Sequence, residues 1–99
     1  FCAFCAFSWP SAYYAYAQST SLDEATALLQ ARRFAEAEAA TRKVLAAKPR
    51  NAEAHALLAL ILDQRGVSTE AEREYQTALR LKPNLVSALS NFGVLLART

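Results

Sequence analysis

Glycine, proline and histidine are scarce in this chain of 99 residues, and methionine is absent. The chain holds 2 glycines, 3 prolines and 1 histidine. Few residues therefore interrupt regular structure, and the composition favours helices. One histidine and two cysteines fall short of the four ligands of a structural zinc site, so no metal or cofactor is expected. Because the chain lacks methionine, begins with phenylalanine and stops at residues 95–99 in the middle of an apolar pattern, we also expect it to be a fragment that is truncated at both ends.

An excess of charge of one sign is also missing. Eleven basic residues face nine acidic ones, and no basic run is longer than two residues. A nucleic-acid surface needs a concentrated basic patch, so no nucleic-acid partner is expected. The single histidine, His55, has no serine, cysteine or carboxylate in a catalytic pattern beside it. We expect a partly buried spacer at this position, and a protein that is not an enzyme.

Residues 1–17 carry no charge, and 14 of them are apolar or aromatic. The segment ends in Ala15-Tyr16-Ala17, the small-residue pattern that precedes signal-peptidase cleavage, although it lacks a basic start. We therefore predict the remnant of a signal peptide. A truncated membrane anchor and an ordinary aromatic segment are the alternatives. Cys2 and Cys5 form a C-x-x-C pattern, but without a flanking strand or further ligands we interpret them as apolar residues of this segment.

Helical periodicity begins at residue 18. Apolar residues recur at Leu22, Ala25, Leu28 and Leu29, which share one helix face. The same spacing predicts five helices and no strand. We expect the first helix to start in a capping box at Ser21–Glu24 and the second to run from Phe34 to Ala47. Asn51 is expected to cap the third, which runs from Ala52 to about Arg65. The fourth is expected to start in a capping box at Thr69–Glu72 and to end at Leu81, and the fifth to start near Val86.

The pattern repeats with a period of 34 residues. Pro49 and Pro83 stand 34 positions apart, and aligning residues 18–51 with 52–85 without gaps gives nine identities. A fixed period of this size is typical of a chain that stacks one helical unit on the next. Small residues recur where two helices of a unit would cross, at Ala25 and Ala59 and at Ala37 and Ala71.

This arrangement resembles the tetratricopeptide repeat family. The second copy carries most of the family signature, at Leu58, Ala59, Leu62, Gly66, Ala71, Tyr75, Ala78 and Pro83. The first copy lacks the turn glycine, since Arg32 stands there. The resemblance implies an all-α, right-handed α-solenoid of antiparallel helix pairs, with repeats at 18–51 and 52–85 and a partial repeat at 86–99.

Members of this family are usually interaction scaffolds, so the resemblance implies the binding of a peptide or partner helix and no small-molecule substrate. The first helix of each pair would line a concave groove. The groove residues that it implies are Leu22, Thr26, Leu29, Gln30, Glu53, Ala56, Leu60, Asp63, Gln64, Ser87, Ser90, Val94 and Arg98. Leu22 and Thr26 stand where chaperone-binding members place Lys and Asn to hold a C-terminal carboxylate, so that subclass is disfavoured.

Together with residues 1–17, the resemblance predicts an exported, periplasmic or envelope-associated adaptor of bacterial type. The alternatives are a regulatory or substrate-presenting segment of a larger enzyme, and a membrane-anchored assembly factor. The fifth helix is expected to expose Leu89, Phe92, Leu95 and Leu96, a face that could also support self-association.

Overall fold

The computed structural model describes residues 21–99, and the predicted signal segment 1–17 lies outside the described residues. The structure consists of five helices: α1 (Ser21–Gln30), α2 (Phe34–Ala47), α3 (Ala52–Gln64), α4 (Ser68–Leu81) and α5 (Val86–Arg98). Residues 21–99 contain no strand, which confirms the all-α prediction. None of these five helices combines the length and the apolar character that crossing a membrane requires.

The helices stack as a repeating array. α1 packs against α2 and α3 against α4, which makes two pairs, while α2 also packs on α3 to join them. α5 lies against both α3 and α4 and begins a third unit. The first helices of the units, α1, α3 and α5, are also neighbours of one another, since α3 contacts the other two. The array therefore presents one row of first helices and one row of second helices.

The three helix caps predicted from polar residues have different outcomes. The side chain of Asn51 accepts a hydrogen bond from the backbone N–H of Ala54 at 3.2 Å, which confirms it as the cap of α3. The capping box predicted at Thr69–Glu72 is wrong. α4 begins at Ser68 after Val67, so Thr69 lies inside the first turn, where its hydroxyl is past the capping position. The box at Ser21–Glu24 lies at the edge of the described residues and stays a prediction.

A left-handed glycine ends α3, as predicted. Gly66 has φ of +85°, and its N–H donates to the Asp63 carbonyl at 3.0 Å. The next N–H, that of Val67, donates to the Leu62 carbonyl at 2.9 Å. These two bonds form a Schellman motif, which satisfies carbonyls that the helix end would leave unpaired. The motif also turns the chain directly into α4.

The same turn closes α1 without a glycine. Arg32 has φ of +63°, its N–H donates to the Leu29 carbonyl at 2.9 Å, and the N–H of Arg33 donates to the Leu28 carbonyl at 2.9 Å. A side chain in the left-handed region costs about 1–2 kcal/mol, because its Cβ crowds the following carbonyl. The first repeat therefore keeps the turn geometry of Gly66 at a cost in stability.

Tyr75 is the largest buried side chain of residues 21–99, in a core that includes Ala59, Leu62 and Ala78. Its ring stacks on Phe92 with 5.4 Å between centroids. No group among residues 21–99 hydrogen-bonds to the Tyr75 hydroxyl. Burial, with a smaller contribution from the nearby Asp63 carboxylate, raises the pKa of Tyr75 to about 12.

The predicted exposed face of α5 needs a correction. Leu95 is only 1% exposed and Phe92 is partly buried, because both pack against the core formed by α3 and α4. Leu89 and Leu96 are each 50% exposed, as expected. Val86, which was not predicted, is 75% exposed and lies on the same side of the helix.

We predict that Arg32→Gly stabilises the protein by about 1 kcal/mol, because glycine adopts a positive φ without a steric penalty. Urea unfolding followed by circular dichroism would measure the shift in midpoint. Gly66→Ala is the matched control and should destabilise by a similar amount. A lower unfolding midpoint for Arg32→Gly would contradict the account, since the Arg32 side chain is exposed and makes no ion pair within residues 21–99.

Candidate functional site: a groove between the first helices

The first helices enclose an open depression of about 200 Å³. Each of the three contributes side chains from one face, at positions three or four residues apart. The lining residues are Leu22 and Thr26 from α1, Glu53, Ala56, Leu57 and Leu60 from α3, and Ser87 and Asn91 from α5. We call this depression the groove.

The walls of the groove are mainly apolar. Leu22, Leu57 and Leu60 are each half-buried, so part of each side chain faces solvent inside the groove. Ala56 is only 7% exposed, and its small side chain leaves space in the groove on the side of α3. The groove therefore offers hydrophobic surface that water covers when the groove is empty.

Uncharged polar groups complete the walls. The Thr26 hydroxyl donates to the Leu22 carbonyl at 2.9 Å, which uses its proton and leaves its oxygen as an acceptor. Ser87 and Asn91 make no side-chain hydrogen bond with any residue of 21–99, so their donors and acceptors remain available. An amide side chain can both donate to and accept from a peptide backbone.

The charged groups beside the groove are paired. Lys82 Nζ lies 2.8 Å from Glu53 Oε2, and this hydrogen bond, together with one from the Glu53 backbone, lowers the pKa of Glu53. At the other end of α3, Arg98 of α5 pairs with Asp63, whose side chain is only 8% exposed. Removing one partner of such a pair would leave an uncompensated charge with little access to water. The Asp63–Arg98 pair joins neighbouring units, whereas Glu53 and Lys82 pair within one unit, and none of the residues of 21–99 that line the groove is a cation.

Six of the thirteen predicted groove residues line this depression: Leu22, Thr26, Glu53, Ala56, Leu60 and Ser87. The other seven do not: Leu29, Gln30, Asp63, Gln64, Ser90, Val94 and Arg98. That any of these residues binds a partner stays a prediction.

Sequence reasoning missed two lining residues, Leu57 and Asn91. Both could have been found, because Leu57 lies one helical turn after Glu53, and Asn91 one turn after Ser87. Leu57 and Asn91 are also equivalent positions, 34 residues apart.

His55 connects elements instead of facing the groove. Its Nε2–H donates to the Pro49 carbonyl at 2.8 Å, and its Nδ1 lies 2.7 Å from a Glu74 carboxylate oxygen. The side chain is 15% exposed. With both ring nitrogens engaged by neighbours, His55 ties α3 to α4 and to the turn before α3, in keeping with the predicted spacer.

An ion-pair network joins the two pairs of helices away from the groove. Glu38 Oε2 lies 2.9 Å from Arg42, and Glu38 Oε1 lies 2.6 Å from Arg65. Burial alone would raise the pKa of Glu38, but the hydrogen bonds from both guanidinium groups outweigh it and lower that pKa. Arg42 also reaches Glu70 of α4 at 3.4 Å. These carboxylates act structurally, because each has a cationic partner within the array.

Comparisons with known proteins agree with this architecture. The family model described as tetratricopeptide repeat matches residues 22–86. Among solved structures, the chain is similar to the first tetratricopeptide repeat domain of Spaghetti bound to the HSP90 peptide SRMEEVD. That match has a TM-score of 0.76 and 20% sequence identity, over 85% of this chain and 67% of the other, and it shows the fold. A search of curated proteins finds no significant match. Because the family model covers more than half of its length, the chain belongs to the tetratricopeptide repeat family.

Proposed function

We propose that this protein is an interaction module that binds an extended peptide or a partner helix in the groove. The observation that carries the proposal is the groove itself, in which α1 and α3 present half-buried leucines and α5 presents the hydroxyl of Ser87 and the amide of Asn91. Burying these leucines against a ligand would be favourable at about 25 cal/mol per Å² of apolar area. The similar Spaghetti domain was solved with a peptide bound, which supports a peptide as the kind of partner.

The groove chemistry favours a ligand with an apolar anchor over an acidic one. Leu22, Leu57 and Leu60 offer a seat for an aliphatic or aromatic side chain, and Asn91 offers hydrogen bonds to a peptide backbone. An acidic peptide would need cations, which form strong charge-assisted bonds with carboxylates. Lys82, which reaches the groove residue Glu53, is already paired with it.

We predict that the peptide SRMEEVD, which the Spaghetti domain binds, does not bind this chain with a dissociation constant below about 1 mM. The reason is that Leu22 and Thr26 offer no positive charge to its carboxylates. Fluorescence polarisation with the labelled peptide measures the affinity.

The double variant Leu22→Lys, Thr26→Asn is the matched gain-of-function test. It should bind SRMEEVD at least about tenfold more tightly than the unchanged chain, a difference of about 1.4 kcal/mol. The same peptide with an amidated C-terminus should lose part of that gain. Micromolar binding of SRMEEVD by the unchanged chain would contradict the proposed ligand chemistry.

We predict that Leu60→Arg weakens peptide binding at least about tenfold, because it places an uncompensated cation in an apolar seat. The probe is a synthetic 12-residue peptide selected from a displayed random library against the unchanged chain, and calorimetry measures its affinity. Leu57→Arg tests the lining residue that sequence reasoning missed.

Gln76→Arg is the control for this experiment. Gln76 is exposed on α4 and does not line the groove, so the variant adds the same charge elsewhere. It should bind the peptide as the unchanged chain does. Equal affinity for Leu60→Arg, with an unchanged circular dichroism spectrum, would contradict the groove as the binding site, and so would a library that yields no binder.

We also propose that the protein is an exported, envelope-associated adaptor. Support comes from the uncharged segment 1–17 and its Ala15-Tyr16-Ala17 ending. Amino-terminal sequencing of the protein recovered from the cell envelope of a bacterial host is expected to begin at Gln18. Recovery of the chain from the cytoplasm with residues 1–17 intact would contradict the proposal.

A further inference from the structure

An apolar stripe runs along the outer side of α5. Val86, Leu89, Gly93 and Leu96 follow one another at spacings of three, four and three, which places them on one helix face. Val86 is 75% exposed, and Leu89 and Leu96 are each 50% exposed. A Cβ added at Gly93 would meet nothing within 4 Å. We call these four residues the α5 stripe.

The α5 stripe is the face by which a first helix packs on its second helix. The equivalent residues of α3, 34 positions earlier, are Ala52, His55, Ala59 and Leu62. In α3 this face lies against α4, and Ala52, Ala59 and Leu62 are at most 6% exposed. In α5 no helix from residues 21–99 covers it. Its shape and spacing are therefore those of a helix–helix contact.

Charge distinguishes α5 from the other first helices. Residues 86–97 contain no Asp, Glu, Lys or Arg, and the one charged residue of α5, Arg98, is paired with Asp63. A two-fold contact brings the same surface of two copies together, so a charged stripe would repel itself. The uncharged α5 stripe meets its own copy without that cost.

We propose that the α5 stripe is a self-association surface, which pairs in antiparallel orientation with the α5 stripe of a second copy. One register places Val86 opposite Leu96 of the second copy and Leu89 opposite Gly93 of the second copy. The spacing of the four residues is symmetric about the level of Asn91, so each contact occurs twice. The side chain of Leu89 then fills the open space beside Gly93, which gives close packing of a large residue against a small one.

The expected dimer is weak. A helix of 13 residues is about 20 Å long, and a single helix pair buries less than about 1,200 Å² in total, in the range of transient contacts. We therefore expect a dissociation constant on the order of 10–1,000 μM. Such a contact forms where the protein is concentrated.

Sedimentation of the full chain between about 5 μM and 1 mM tests the proposal. The unchanged chain should shift from monomer to dimer as its concentration rises. Leu89→Glu should weaken self-association at least about tenfold, because each copy would then bury a carboxylate against Gly93 of the other copy in an apolar contact. Gly93→Leu should do the same by filling the space that Leu89 of the second copy occupies. It should also raise the melting temperature, since leucine forms helix better than glycine.

Val94→Glu is the matched control, because Val94 is 58% exposed on the same helix but lies off the α5 stripe. It should dimerise as the unchanged chain does. A monomer at 1 mM would overturn the proposal. So would a dimer that survives Leu89→Glu or Gly93→Leu, or one that Val94→Glu disrupts equally, since its contact would then lie elsewhere on the molecule or on residues 1–20.

Discussion

Close approach between helices is the constraint on which the rest of this structure depends. Ala25, Ala37, Ala59 and Ala71 are all completely buried, on the helices that pack together in each unit. Only a small side chain allows two helix backbones to lie at the short end of the usual 8–10 Å. Since this contact recurs every 34 residues, it spaces the first helices evenly and leaves the groove between them. A larger residue at any of these positions would alter the groove as well as the core.

Ion pairs help to hold the array together. Glu53 and Lys82 tie the start of α3 to the end of α4 within one unit, Asp63 and Arg98 join two neighbouring units, and the network around Glu38 joins the two pairs of helices. The groove lining itself is mainly apolar surface with amide and hydroxyl groups. A solenoid of this family can therefore select a different ligand class without a change of fold, because its ligand depends on a few groove positions and its packing on others.

The fold could be predicted almost entirely from the sequence, because its signals are local. Pro49, Asn51 and Gly66 mark turns through the chemistry of single residues, and their positions agree with the structure. The prediction from local signals was wrong at Thr69, because the helix starts one residue earlier, at Ser68. It was also wrong at Phe92 and Leu95, because the neighbouring unit buries them wholly or in part. The groove was predicted only in part. The pairing of Asp63 with Arg98 depends on how one unit sits on the next, and no spacing within a single helix encodes that.

The central claim is that ligands bind where the first helices face one another. Amide chemical-shift mapping by nuclear magnetic resonance tests it most directly, with the labelled full chain titrated by a 12-residue peptide selected against it. The account predicts that the largest shifts fall on Thr26, Ala56, Leu57, Leu60 and Asn91, which line the groove. Shifts concentrated on the outer faces of α2 and α4, or along the α5 stripe, with the groove unaffected, would contradict it.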